Sequence, residues 1–247
     1  MNKVLIVLGS TATGKTDLGL KLAKKFNGEI ISADSRQVYK GLDIGTGNIT
    51  SKVESLIKKK RQWIVNGIVI HLYDVLDAKN QYNVALFVKD AKEIIDDIFK
   101  RGKLPIVVGG TGLYIKALLY GVPVLSASVD FELRKQLEGL SKVRLQEKLQ
   151  RLDNKKWQSL NASDKQNPRR LVRAIELVGI KQSKPPVSEF DTLKIGLTAN
   201  KNILYKRVDF QIKARLDQGM IDEAKKLPGK EAKGASGRKS KTALVDG

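Results

Sequence analysis

Apolar positions along the chain change their period several times, and each change marks an element. Val4 to Leu8 is a continuous apolar run stopped by Gly9, the pattern of a strand buried on both faces. Leu18, Leu22 and Phe26 then recur every fourth residue, which puts one apolar stripe on a helix. A second strand is expected from Glu29 to about Ala33, ending in Asp34-Ser35. From Val84 to Phe99 the positions Phe87, Val88, Ala91, Ile94, Ile95 and Ile98 mark a long amphipathic helix, closed by Gly102. "LPIVV" is a third buried strand running into Gly109, Gly110, Thr111 and Gly112, and Lys194 to Ala199 reads as a fourth. Helical patterning resumes from Ile203 to Leu227. Strand, glycine loop, helix and strand make a βαβ unit, so the fold class is α/β, a P-loop-type parallel sheet flanked by helices.

Residues 124–189 break this rhythm. They are charged, poor in strands and mostly helical in pattern, as in "FELRKQLEGL", "VRLQEKLQRL" and "PRRLVRAIELV". The expected organisation is a core over 1–123, a small helical insertion domain over 124–189, and a return to the core over 190–227. The basic segment 228–247 has no aromatic residue and no sustained period and is expected to be disordered. Lys and Arg number 46 against 26 Asp and Glu, a formal net charge of +20. Such a field attracts polyanions, because neutralising phosphates releases condensed counterions; a lysine-rich solvated surface is the plainer alternative. The chain has no cysteine, which excludes disulfides, thiolate metal sites and cysteine catalysis. No run approaches the roughly 20 apolar residues of a membrane span, so no membrane partner is expected. The short apolar N-terminal run meets a glycine loop and not a small-residue cleavage site, so it reads as a strand. The cytoplasm is the expected compartment, and a monomer the expected state.

Candidate chemistry gathers at the strand ends, where ligands sit in such sheets. Residues 9–16, Gly9, Ser10, Thr11, Ala12, Thr13, Gly14, Lys15 and Thr16, fit G-x-x-x-x-G-K-[ST]. Backbone N–H groups of such a loop and the following helix N-terminus cradle phosphate oxygens. Lys15 supplies a cation, and the Thr16 hydroxyl is a candidate Mg²⁺ ligand. A nucleoside triphosphate such as ATP is the common occupant, but any diphosphate suits the same cradle. Asp34 faces this site as a general base, as an outer Mg²⁺ partner, or only as a cap with Ser35. Thr111 offers a hydroxyl between glycines that permit close approach. The third strand ends in Gly-Gly-Thr where many NTPases carry an acid, which argues against ordinary ATP hydrolysis. His71, the only histidine, reads as structural, and Asp74 and Asp77 as turn formers. Arg169, Arg170 and Arg173 sit at helical spacings and either grip an RNA backbone or form a solvated face.

"GSTATGKTDLGLKLAKKFNGEIISADSRQVYKGLDIGTGN", "HLYDV", "VGGTGLYIKALLYG" and "NPRRLVRAIELV" together resemble the tRNA dimethylallyltransferases, collinearly from residue 4 to about 227. The resemblance implies transfer of a prenyl group from dimethylallyl diphosphate to N6 of the adenine just 3′ of the tRNA anticodon. It assigns diphosphate binding to residues 9–16, with Mg²⁺ as cofactor. Asp34 matches the family's base, and Thr111 the residue that positions the target adenine, which the family flips out of the anticodon loop. It assigns tRNA contact to Asp34, Ser35, Arg36, Gln37, Thr111, Arg134, Arg169, Arg170, Leu171, Val172 and Arg173. Family members usually continue for several tens of residues through a Gly-Tyr-containing helix and a basic segment. Here the sequence after Leu227 turns to Lys, Gly and Ser. The alternatives are a catalytically impaired tRNA-binding homologue and a P-loop nucleotide kinase or NTPase.

Overall fold

The computed structural model describes residues 3–48, 53–121, 131–180 and 188–227; the tail expected to be disordered lies outside them. The chain divides into two units, the first running to Ile115 and resuming at Phe190, the second Lys116–Glu189.

The first unit is built on a seven-stranded sheet among the described residues. Its strands are β1 (Lys3–Gly9), β2 (Gly28–Ser32), β3 (Leu56–Lys59), β4 (Gln62–Val65), β5 (Ile68–His71), β6 (Leu104–Gly109) and β7 (Asp191–Leu197), in the order β3-β4-β5-β2-β6-β1-β7. Five strands, β5-β2-β6-β1-β7, run parallel. The parallel sheet expected from the sequence is extended at one edge, where β3, β4 and β5 form an antiparallel meander. The physical cause is in its turns. Arg61, Asn66 and Gly67 all take positive φ, and Asn-Gly in that conformation closes a tight hairpin. The last strand also begins three residues earlier than Lys194.

Alternation along the interior strands sorts the core onto two faces. Leu5, Val7, Ile30, Ile106 and Val108 share one cluster with Ala23 of α1 (Lys15–Lys25). Ile6, Ile31 and Val107 alternate with them and are fully buried. Helix α2 (Val84–Lys100) buries Phe87, Ala91, Ile95 and Ile98 and packs on β2 and β6; Asn83 caps it by accepting from the Ala85 and Leu86 N–H groups. Its end at Lys100 is followed by Gly102 at φ +68°, the left-handed stop that the glycine signalled.

One carboxylate is enclosed at the sheet's N-terminal side. Glu29 on β2 is 2% exposed. It accepts from both terminal nitrogens of Arg101, from Lys103 Nζ at 2.8 Å, and pairs with His71 Nε2 at 2.8 Å. Burial alone would raise its pKa, but the bonds from Arg101, Lys103 and His71 outweigh it and hold it down to about 2. His71 is thereby structural, as the sequence suggested. Asp74 sits in a positive-φ turn and accepts from Trp63 Nε1 at 2.7 Å.

After β7 come α9 (Lys201–Asp217) and α10 (Met220–Lys226). α9 buries no residue completely, and Tyr205, Phe210 and Ile221 are among the exposed apolar side chains of these two helices.

The second unit is helical. It holds α4 (Phe131–Glu138), α5 (Lys142–Leu152), α6 (Asn154–Ser159), α7 (Ala162–Gln166) and α8 (Pro168–Glu176), and α3 (Gly112–Tyr120) straddles its start. Leu137, Leu145, Leu149, Leu171 and Ile175 are its apolar centre. Asn167 caps α8, with Pro168 in its first turn where a missing N–H costs nothing.

Candidate active site

Three turns, two of them glycine-bearing, follow the carboxyl ends of β1, β2 and β6. In the first, Gly14 adopts φ +87° as the cap of α1, a conformation that side-chain-bearing residues rarely take. Thr13 Oγ1 donates to Ser10 O at 2.8 Å, and Lys15 Nζ donates to the same oxygen at 2.6 Å. Burial lowers the Lys15 pKa below its ordinary value, and the negative charge of Asp34 partly offsets this. Lys15 and Asp34 line the same cleft.

The second and third turns are locked together. The Thr111 N–H donates to Ala33 O at 3.2 Å, and Thr111 Oγ1 accepts from the Ser35 N–H at 3.2 Å. Gly109 packs so closely on Ala33 that an added Cβ would run into the Ala33 carbonyl. Gly110 lies against the Lys15 amine; a Cβ there would stand 3.8 Å from Nζ. The hydroxyl of Thr111, the carboxylate of Asp34 and the cation of Lys15 are thus brought to one place by backbone contacts.

Asp34 is half-buried. Its Oδ1 accepts from the Arg36 N–H at 2.8 Å, an Asx-type turn; a turn and not a helix follows it, so it caps no helix. Its Oδ2 accepts no hydrogen bond among the described residues, which leaves a lone pair for a proton. Gln37 Oε1 accepts from Ser32 Oγ at 2.7 Å, and Arg36 is exposed. Tyr73 is pushed up first by burial and then by the Asp34 charge.

Lys15, Thr16, Asp34, Gln37 and Gly109 line a cleft of about 280 Å³. A larger cleft of about 890 Å³ lies beside Lys40, Asp77 and Glu223. It carries acids and lysines in mixture and no phosphate loop, so the smaller cleft is the chemical site.

The sequence pattern missed α9 as part of this cleft. Phe210, Gln211, Ala214 and Arg215 contribute to its wall, and Arg207 Nη1 donates to Ala12 O at 3.3 Å. Basic residues two helical turns apart, at 207 and 215, were the available signal.

In the helical unit the expected tRNA-facing residues separate. Leu171 is 0% exposed and Val172 is buried beside it. Contact of their side chains with tRNA is therefore corrected: they fill the unit's core. Arg134 Nε and Nη2 donate to the two oxygens of Glu176 at 2.7 and 3.1 Å, and Arg173 Nη1 adds a third bond at 2.8 Å. Burial would raise the Glu176 pKa, but the bonds from Arg134 and Arg173 outweigh it and lower it. Arg170 pairs with Asp164, and Arg169 is exposed.

A family model described as IPP transferase matches residues 37–244. The match starts after the phosphate loop and runs past Leu227, where the motif resemblance stops. The tRNA dimethylallyltransferase of an Exiguobacterium species is 38% identical over 232 residues, covering 91% of this chain and 70% of the relative. That of Geotalea daltonii is 39% identical over 228 residues, with 91% and 69% covered. Among solved structures, the full-length tRNA isopentenylpyrophosphate transferase of Bacillus halodurans is 35% identical with a TM-score of 0.61, over 92% of this chain and 70% of that one. A eukaryotic dimethylallyltransferase captured acting on tRNA is 28% identical with a TM-score of 0.73, over 91% of this chain and 55% of that one. Likeness of this depth, shared in both sequence and fold, means that the chain belongs to the IPP transferase family.

Proposed function

We propose that this chain transfers a dimethylallyl group from dimethylallyl diphosphate to N6 of the adenine 3′-adjacent to the anticodon in tRNA. Its relatives carry the name tRNA dimethylallyltransferase. The observation that carries the chemistry is the shared cleft of Asp34 and the 9–16 loop, with an Asp34 oxygen that accepts no hydrogen bond from the described residues.

The N–H groups of residues 9–16 and the Lys15 ammonium receive the diphosphate. N6 attacks C1 of the dimethylallyl group, and the C1–O bond breaks. Its electron pair leaves on the diphosphate, where fixed positive charge stabilises it. The N6 proton passes to Asp34 Oδ2. Thr111, anchored on the Ser35 N–H and the Ala33 carbonyl, positions the adenine beside the carboxylate. Mg²⁺ suits the donors present, because it ordinarily binds through one or two protein oxygens together with phosphate oxygens and water. Thr16 would hold it, and its charge would stabilise the departing diphosphate. Arg169, Arg170 and Arg173 of the helical unit, with the +20 net charge, serve the tRNA backbone. No helix among the described residues is long and apolar enough to cross a membrane, and the reaction belongs where tRNA is, in the cytoplasm. A nucleotide kinase fits less well, since β6 ends in Gly109, Gly110 and Thr111 without an acid.

The test is nucleoside mass spectrometry on unmodified tRNA incubated with the chain, Mg²⁺ and dimethylallyl diphosphate. Prenylated adenosine is expected from the parent. Asp34→Asn should reduce turnover by roughly 10² or more, the scale of a lost general base, with tRNA affinity within a few-fold. Undiminished turnover in Asp34→Asn removes that residue as the base. No product from folded parent chain refutes the proposed activity.

A further inference from the structure

The cleft has a wall that no phosphate-loop motif announces. Thr46 and Gly47 line it, and the backbone that carries them is gripped from far away in sequence. Glu223 on α10 accepts the Ile44 N–H on Oε1 at 2.8 Å and the Gly45 N–H on Oε2 at 2.7 Å. Both carboxylate oxygens are thus spent on two successive backbone donors. Arg215 on α9 donates from Nη1 to Gly45 O at 3.2 Å. Its guanidinium lies close against Gly47, where a Cβ would collide with Nη2 and stand 2.9 Å from Cζ. Gly47 holds φ +68°, so glycine is needed both for the turn and for the close approach.

Arg215 does more than brace the loop. It is itself part of the cleft lining, and among the described residues it pairs with no carboxylate. One of its five N–H donors serves Gly45 O, which leaves others on the same planar fork. An unneutralised guanidinium beside Lys15 favours a doubly charged anion such as a diphosphate over a single carboxylate.

We propose that Arg215 and Glu223 form a clamp that positions the Ile44–Gly47 segment as a wall of the diphosphate cleft and sets the affinity for that anion. The proposal rests on the reading of the cleft as a diphosphate site. In it Glu223 is a positioning residue acting through the backbone, and Arg215 positions the same segment while adding fixed positive charge.

The experiment is calorimetric titration of the full chain with inorganic diphosphate and Mg²⁺, with Lys15→Ala as the reference variant. Arg215→Ala and Glu223→Ala should each weaken binding roughly tenfold, as for loss of a charged hydrogen bond, and raise the KM for dimethylallyl diphosphate more than they lower kcat. tRNA affinity should stay within about twofold, since neither side chain is assigned to the polynucleotide. Arg215→Lys keeps the charge but loses the fork, and should bind with intermediate affinity. If Lys15→Ala weakens binding and Arg215→Ala does not, the clamp is refuted and the cleft stands. If none of these variants changes binding, the diphosphate reading fails and the clamp falls with it. Should Glu223→Ala not fold, Arg215→Lys decides: parental affinity overturns the proposal, intermediate affinity supports it.

Discussion

Replacing Glu29 by Gln tests whether the enclosed carboxylate is held as an ion. The side chain is 2% exposed and takes bonds from Arg101, Lys103 and His71. Its pKa falls from 4.5 to about 2 on folding. At about 1.4 kcal/mol per pH unit, that gap corresponds to about 3 kcal/mol of stability at neutral pH. A folded pKa below the unfolded one gives stability that is fully present above pH 4.5 and is lost as the pH falls toward 2. Arg101 and Lys103 are more than a third exposed, so both can rehydrate when the carboxylate is gone. The cost of Glu29→Gln therefore stays near that figure and does not reach the upper end for a fully buried pair. Urea unfolding of parent and variant should differ by about 3 kcal/mol at pH 7 and by about 2 kcal/mol less than that at pH 3. The m-values should match, as they must if only stability changes. A difference that stays constant between pH 7 and pH 3 would refute the reasoning, because a Gln that merely packs badly carries no proton linkage.

Leu171→Ala should destabilise the helical unit by about 2–5 kcal/mol, the range for a buried leucine, and leave tRNA affinity unchanged at temperatures where that unit stays folded. Arg169→Ala should do the opposite, keeping stability while lowering the slope of log affinity against log salt by about one; the reverse assignment of effects in filter-binding and melting assays would overturn the division made above. Gly109→Ala forces Ala33 aside and should cost about 1–3 kcal/mol of stability, as overpacking does. It should also depress turnover at temperatures where the protein is fully folded, since Asp34 and Thr111 hang on that contact. Parental turnover in a well-folded Gly109→Ala would show that the spacing of those two residues is not critical.

Much of the candidate site's scaffold was legible because it obeys local rules. β1, β6 and α2 announce themselves by an apolar pattern with a glycine after it, β2 by an apolar run closed by Asp34-Ser35, and the phosphate loop by its glycines and Lys15. β5 falls on "VIH", which reads as strand, but β3 and β4 were missed because Lys58, Lys59, Lys60 and Arg61 interrupt their apolar pattern, although Asn66-Gly67 between two apolar runs marks a hairpin. Motif resemblance could not tell that the Leu171 and Val172 side chains turn inward, because a motif is a string and has no inside or outside. Helical spacing with Ile175 would have put them in the core. The salt-bridged role of Arg134 depends on Glu176, 42 positions away, and the loop clamp on Glu223, 179 positions from Ile44. No periodicity encodes such pairings; only the folded chain brings them together.

The pairing of β1 with β7 has a consequence for synthesis. Lys3–Gly9 leaves the ribosome well ahead of its neighbour on one side, Asp191–Leu197, which is the last of the described strands. At elongation rates of roughly 5–20 residues per second, β1 waits on the order of ten to forty seconds for that partner. Until then the nascent sheet ends in an unpaired hydrogen-bonding edge, the kind that recruits other chains. The phosphate loop, which begins where β1 stops, meanwhile lacks the backing of Leu197 behind Gly9. Full support of the phosphate loop thus waits for a strand encoded some way downstream, which closes the sheet beside it.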